Sequence, residues 1–182
     1  MPKYSPEYQA IRDQEILDMR ARILSEARKL ARASGWQSVS TRRIAKQMKI
    51  SSALLYSYFD DKGALLRELQ LQGMREMGAR MQGQENSTDM SLTLFDFALA
   101  QPELFALLTG QVEGCPPPTA DDLTGTCRPA LEFFQHHPLS GLDAETSFLK
   151  WWSLTYGFIL SSINGMTGGI TESRSTLSAL LS

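Results

Sequence analysis

Apolar residues recur at three- and four-residue intervals along most of this chain, and no stretch shows the alternation of a half-buried strand. That spacing gathers apolar side chains on one face of each helix, so they can be buried only by packing helix against helix. In the first long segment Ile23, Ala27, Leu30, Ala31 and Ser34 share a face. Gly35 follows, where a left-handed residue closes a helix at least cost. Ser5 and Pro6 fit an N-cap and a first helical position, so this helix either starts there or leaves the first fifteen residues as an arm. The expectation is an all-α protein of seven or eight helices.

The segment TRRIAKQMKISSALLYSYF, residues 41–59, holds two short helical patterns separated by a tight break. Trp36 and Val39 anchor the preceding connection, and Ser40 can cap a helix over Thr41 to Met48. Ile44, Ala45 and Met48 form its apolar face, while Arg42, Arg43, Lys46 and Lys49 lie elsewhere. Ile50 fills the turn and Ser51 caps the next helix. There Leu55, Tyr58 and Phe59 cluster on one side, Ser52, Ala53, Tyr56 and Ser57 point away, and Leu54 takes the flank. Two short helices with small and hydroxylic side chains outward on the second form a helix-turn-helix whose second helix fits a DNA major groove.

Charge follows the same division. Residues 1–62 carry twelve Lys or Arg against seven Asp or Glu, whereas the remainder is acidic enough to bring the total to −2. A basic N-terminal module facing phosphate would produce that asymmetry, which the net charge hides; mixed-charge helices that differ by chance are the alternative. No signal-peptide pattern opens the chain, and the most apolar stretch, Trp151 to Ile163, is too short and too hydroxylated for a membrane span of roughly 20 residues. A cytoplasmic protein with no membrane partner is expected. Cys115 and Cys127 match no zinc spacing and are expected as thiols without assigned chemistry.

Residues 23–69, ILSEARKLARASGWQSVSTRRIAKQMKISSALLYSYFDDKGALLREL, resemble the N-terminal domain of the tetracycline-repressor (TetR) family of bacterial transcription regulators. The resemblance rests on the closing Gly35 with its aromatic neighbour, STRRIAKQMKIS, LLYSYF and DDKGALL. It implies a DNA-binding domain over residues 1–65, with an N-terminal extension over 1–18, and a helical effector-binding and dimerisation domain over 66–182. It further implies phosphate contacts from Thr41, Tyr58 and Lys62, and a base or backbone contact from Arg42. Ser52, Ala53 and Tyr56 become the reading positions, and Ser51, Leu54 and Ser57 complete the DNA-facing set. Leu54 departs from the small or hydroxylic residue many members carry, and Ser57 replaces a frequent aromatic or His.

Past Lys62, the line Leu65, Leu66, Leu69, Gly73, Met77 and Met81 marks a long fourth helix, ended by QGQENSTD. LFDFALAQPELFALL reads as two helices meeting at Gln101 and Pro102. The Gly and Pro run from Gly114 to Gly125 reads as a loop, LEFFQHH as a helix stopped by Pro138, and Asp143 as the cap of a helix reaching about Gly165. That last helix is apolar on two stripes: Phe148, Trp152, Tyr156, Ile159 and Ile163 on one, and Trp151, Leu154 and Phe158 on the other. Between them, Ser153, Gly157, Ser161 and Gly165 give a row of small residues along which another helix can approach. The resemblance implies that this face, including Phe158, joins TESRSTLSALLS in a homodimer interface; burial within one chain is the alternative. It also implies a cavity for a small, apolar effector, with Phe97, Phe105, Phe134, Trp151, Trp152 and Tyr156 as lining, although such side chains equally build a core.

Enzymatic chemistry has little footing. Glu132 and His136 lie at i, i+4 without a third metal ligand, and phosphate-loop, nucleophile-elbow and metalloprotease motifs are absent. No cofactor or metal is expected. The expected function is a dimeric transcription regulator, acting as a repressor on a near-palindromic double-stranded operator and responding to a small molecule. A helical adaptor that uses its helix-turn-helix against a protein partner is the alternative.

Overall fold

A computed structural model describes residues 5–181 of the chain, and the first four positions of the N-terminal extension and the final Ser182 lie outside the described residues. Among the described residues the regular structure is helical. The chain divides into two compact units, the first running through Leu69 and including Gln111–Pro116, the second comprising Gln70–Gly110 and the residues from Pro117 onward. The first unit thus ends four residues beyond the boundary expected at residue 65.

In the first unit, α1 (Pro6–Ser34) is followed by a 3-10 turn (Trp36–Ser38), α2 (Thr41–Met48), α3 (Ser52–Tyr56) and the start of α4 (Lys62–Met81). The Ser5 side chain accepts the Tyr8 amide and Pro6 occupies the first turn, so α1 begins at its earliest cap. It ends at Gly35, whose φ of 73° and ψ of 163° lie outside the left-handed helical well expected there, in a region open essentially to Gly alone. Ile23, Leu24, Ala27, Leu30 and Ala31 are buried against Val39, Ile44, Leu55, Phe59, Leu65 and Leu66, which makes one apolar core for all four helices. Ser34, expected on that face, is exposed.

The second unit holds the rest of α4, then α5 (Ser87–Ala100), α6 (Pro102–Leu108), α7 (Ala120–His136), α8 (Ala144–Ile163) and α9 (Ile170–Leu181). The chain bends by 114° between α5 and α6 at Gln101, as Pro102 requires. No single helix among the described residues is long and apolar enough to cross a membrane. α7 starts within the stretch expected to be a loop. Thr119 and Asp122 form a reciprocal capping box, and Gly125 sits inside the helix, with Pro129 one turn later. Asp143 caps α8 through the Thr146 amide, which with the Thr146 hydroxyl holds its carboxyl below the usual range.

Hydroxyls, not only aromatics, line the α5–α8 seam. Ser91 and Thr155, both fully buried, pair at 2.8 Å, and Trp151 Nε1 donates to the Ser87 carbonyl at 3.0 Å. Gln70, also fully buried, donates to the Leu107 carbonyl at 2.9 Å. Each polar group withdrawn from water thus keeps a partner, without which burial would cost on the order of 1–3 kcal/mol.

α4 passes α6 closely at Gly73. A Cβ there would stand 2.8 Å from Leu108 Cδ2 and 3.0 Å from Leu104 Cδ1. Gly73→Val is therefore expected to overpack the seam and cost roughly 1–3 kcal/mol, read as a lower thermal midpoint. Burial pushes the Cys127 thiol up to about 12, and it raises Cys115 against the opposing pull of Arg67. With alkylating reagent near pH ~8, Cys127 is expected to react only as the chain unfolds, and mass spectrometry after brief labelling reads this directly.

Candidate nucleic-acid interface

α3 is five residues long, too short to hold its own shape, so the surface it offers depends on what surrounds it. Ser51 caps it through the Leu54 amide at 3.0 Å, and Leu55 and Phe59 bury themselves beneath it. The helix ends at Tyr56, so Ser57 and Tyr58 belong to the closing turn rather than to the helix expected to run through the aromatics. On the other side of the break, Ser40 caps α2 through the Arg43 amide at 3.2 Å. Lys49 makes the turn in the left-handed conformation, φ 57° and ψ 38°, at a cost of about 1 kcal/mol for a residue with a side chain.

Arg20 of α1 fixes this arrangement from below. Its guanidinium donates to the Tyr58 carbonyl, pairs with the Glu68 carboxylate of α4 and lies over the Phe59 ring, 4.3 Å from its centroid. One planar cation thus joins the turn that ends α3 to the helices on either side of it. No sequence pattern announces this role, since Arg20 reads as one more charge on an amphipathic helix.

Ser51, Ser52, Ala53, Leu54, Tyr56 and Ser57 are exposed together, with Leu54 at 40% and Tyr56 at 49% of full exposure. Arg42 is also exposed, while Thr41 and Tyr58 are half-buried. Thr41 Oγ1 and the Tyr56 hydroxyl lie 3.0 Å apart, which brings the start of α2 onto the outward face of α3. The Ser57 hydroxyl turns back to the Leu54 carbonyl at 2.7 Å. Lys62 donates to the Trp36 carbonyl at 3.0 Å, so it tethers the first turn of α4 to the 3-10 turn. The α2–α3 face therefore presents small side chains, paired hydroxyls and cations from Arg42, Arg43 and Lys46, with Leu54 as its apolar contribution.

In the second unit a cavity of about 820 Å³ opens between the C-terminal part of α4 and α7. Leu71, Met74 and Phe133 line it beside Arg75, Arg128, Glu132 and His136. None of the six residues expected to line an effector site does so. Phe97, Phe105, Phe134 and Trp151 are at most 3% exposed, and half-buried Trp152 stacks on Tyr156 at 5.7 Å, with Tyr156 against Phe105 at 6.0 Å. These aromatics fill the core between α5, α6, α7 and α8 because their rings pack on one another; the cavity falls instead along a helix face rich in charge. No cluster of three metal-binding side chains occurs among the described residues.

On α8, Ser153 and Gly157 are exposed and Ser161 and Phe158 half-buried, with the Phe158 ring 6.1 Å from Phe95. Among the described residues nothing lies within 4 Å of where a Gly157 Cβ would stand, so the helix surface is open at that position. Gly165 falls beyond the helix end, in a turn with φ 73°, and so does not continue the row.

Arg20→Ala is expected to remove about 1–2 kcal/mol of stability, less than a fully buried pair because Arg20 and Glu68 each keep about a third of their side-chain exposure. Urea unfolding measures the loss. Amide exchange should quicken first at Tyr58 and Phe59, the residues this cation fixes.

The comparisons agree with this geometry. Residues 23–69 match the family described as bacterial regulatory proteins, tetR family. None of the curated proteins matches the chain. Among solved structures, a protein of unknown function from Rhodococcus sp. RHA1 superposes with a TM-score of 0.73 at 19% identity, covering 89% of this chain and 92% of its own. A transcriptional regulator, FadR, from Bacillus subtilis, in complex with stearoyl-CoA, gives 0.67 at 15% identity, covering 88% and 96%. A TetR variant from Acinetobacter baumannii AYE, in complex with minocycline, gives 0.61 at 21% identity, covering 87% and 92%. At such identities the likeness to the solved structures is one of fold. The helix-turn-helix unit and the matched segment identify residues 23–69 as similar to the N-terminal domain of the tetR family of bacterial regulatory proteins, on an all-helical chain.

Proposed function

We propose that the protein is a cytoplasmic repressor that binds a near-palindromic operator as a homodimer and responds to a small molecule. The observation that carries this reading is the Thr41–Tyr56 hydroxyl pair on an exposed face of α2 and α3. Two hydroxyls that satisfy each other in the free protein are oriented for exchange with a phosphate oxygen or a base edge, at small cost in side-chain ordering. Ser52 and Ala53 allow the start of α3 to approach base edges closely, and Arg42 and Tyr58 flank it with donors. Lys62 has three donors and uses one on the Trp36 carbonyl, which leaves two for a phosphate. Leu54 offers an apolar contact for a thymine methyl.

A homodimer supplies the two recognition segments that a near-palindrome needs, spaced about 34–36 Å apart. The small residues Ser153, Gly157 and Ser161 on α8, with open space at Gly157, support a close helix–helix approach there. The cavity between α4 and α7 is the effector site in this reading, and its arginines beside Met74, Leu71 and Phe133 favour an amphipathic ligand over a wholly apolar one. An effector lowers operator affinity by as much as it prefers the conformation that fits DNA less well.

Selection of bound duplexes from a random library, repeated at two salt concentrations, tests the reading. Enrichment of a two-half-site motif with salt-dependent affinity is the expected result. A well-folded dimer that enriches nothing, with and without candidate effectors, would bring forward an adaptor that uses the same face against a protein. On the selected motif, Tyr56→Ala should weaken binding by about 1–3 kcal/mol and relax sequence preference. Lys62→Ala should weaken binding to all sequences alike and reduce the salt slope by about one phosphate.

A further inference from the structure

The N-terminal half of α1 is a helix without a core of its own. From Pro6 to Asp18 every residue is exposed, including Ile11 at 59%, Ile16 at 40% and Leu17 at 59%, and Tyr8 is 48% exposed. Yet its start is built with care, by the Ser5 cap and Pro6 in the first turn. Within Pro6–Asp18, Glu7, Asp13, Glu15 and Asp18 outnumber the single cation Arg12, so this segment repels a phosphate backbone rather than following it.

We infer that this half-helix is a contact surface for a second copy of the same chain, pairing antiparallel with its own counterpart. At about 100° per residue, Tyr8, Ile11, Arg12, Glu15, Ile16 and Met19 fall within roughly 140° of arc. A twofold axis between Asp13 and Gln14 then sets Arg12 opposite Glu15 of the second copy, and Tyr8 opposite its Met19. Ile11 and Ile16 border the charge pair on either side. The charges are complementary in this antiparallel register and the apolar residues meet apolar residues, as an isologous contact requires. The same pattern laid parallel sets Arg12 against Arg12 and Glu15 against Glu15. Leu17 lies on the opposite side of the helix and takes no part. Two half-helices cover less than the roughly 1,200 Å² of a stable interface, so the contact is concentration-dependent.

Sedimentation velocity of the full chain over a concentration series tests this. The double variant Ile11→Glu/Ile16→Glu should remove the step of assembly made through α1, leaving the dimer of the second unit if that unit also self-associates and monomer if it does not. Failure of the homodimer reading above therefore leaves this result readable. Leu17→Glu, at least as exposed and equally charged, should leave the assembly unchanged. Arg12→Glu and Glu15→Arg alone should each weaken association by about tenfold or more, and the combined exchange should restore it. Circular dichroism confirms that α1 stays helical in each variant. A parent whose largest assembly matches that of Ile11→Glu/Ile16→Glu at every concentration, a Leu17→Glu variant that dissociates as readily, or a combined exchange without recovery would overturn the inference.

Discussion

The first unit depends on one guanidinium. Arg20 of α1 reaches the Tyr58 carbonyl and the Phe59 ring in the turn after α3 and the Glu68 carboxylate on α4, so it links three stretches of chain, its own included, that no continuous helix connects. A five-residue helix cannot nucleate and hold itself, so α3 exists because its cap, its buried Leu55 and Phe59, and this cation are all in place. A lysine could satisfy one of the three contacts. Only a flat, multiply donating group can stack on a ring while donating in its own plane to two oxygens.

The second unit is organised on a different principle. Its rings fill volume, while its buried hydroxyls and amides set register: Ser91 with Thr155, Trp151 with the Ser87 carbonyl, and Gln70 with the Leu107 carbonyl. A slide of α8 along α5 by one turn would keep most of the aromatic area buried but would break the Ser91–Thr155 and Trp151–Ser87 bonds that cross this seam. Polar pairs of this kind are worth little net energy and much discrimination between alternative packings.

Much of this was legible in the chain before any coordinates. Ser40, Ser51, Asp143 and Pro102 mark helix starts by local chemistry, and local chemistry survives folding unchanged. The start of α7 was hidden because its Thr119 and Asp122 box sits in a stretch dominated by Pro and Gly, where turn signals outweigh a cap; the T-x-x-D spacing was the clue. The cavity was not legible. Aromatic residues drew attention to the core, whereas the opening depends on how the α4 and α7 faces diverge, which is a tertiary fact. For α8 the sequence suggested two apolar stripes, while the deepest line runs Ser147, Trp151, Thr155 and Ile159, half of it hydroxylic. Lys62, expected at a phosphate, also has a carbonyl to hold in its own chain.

The brevity of α3 has a consequence for how such a surface changes over time. Its folding rests on Leu55, Phe59, Ser51 and Arg20, whereas Ser52, Ala53 and Leu54 face outward and support little of the packing. Substitutions at those three outward positions should each stay within about 0.5 kcal/mol of neutral for stability. Lineages carrying this frame can therefore explore new surface chemistry one residue at a time, with the intermediates still folded. Transplanting the whole five-residue helix into another scaffold would fail, because the features that make it a helix lie elsewhere in the chain.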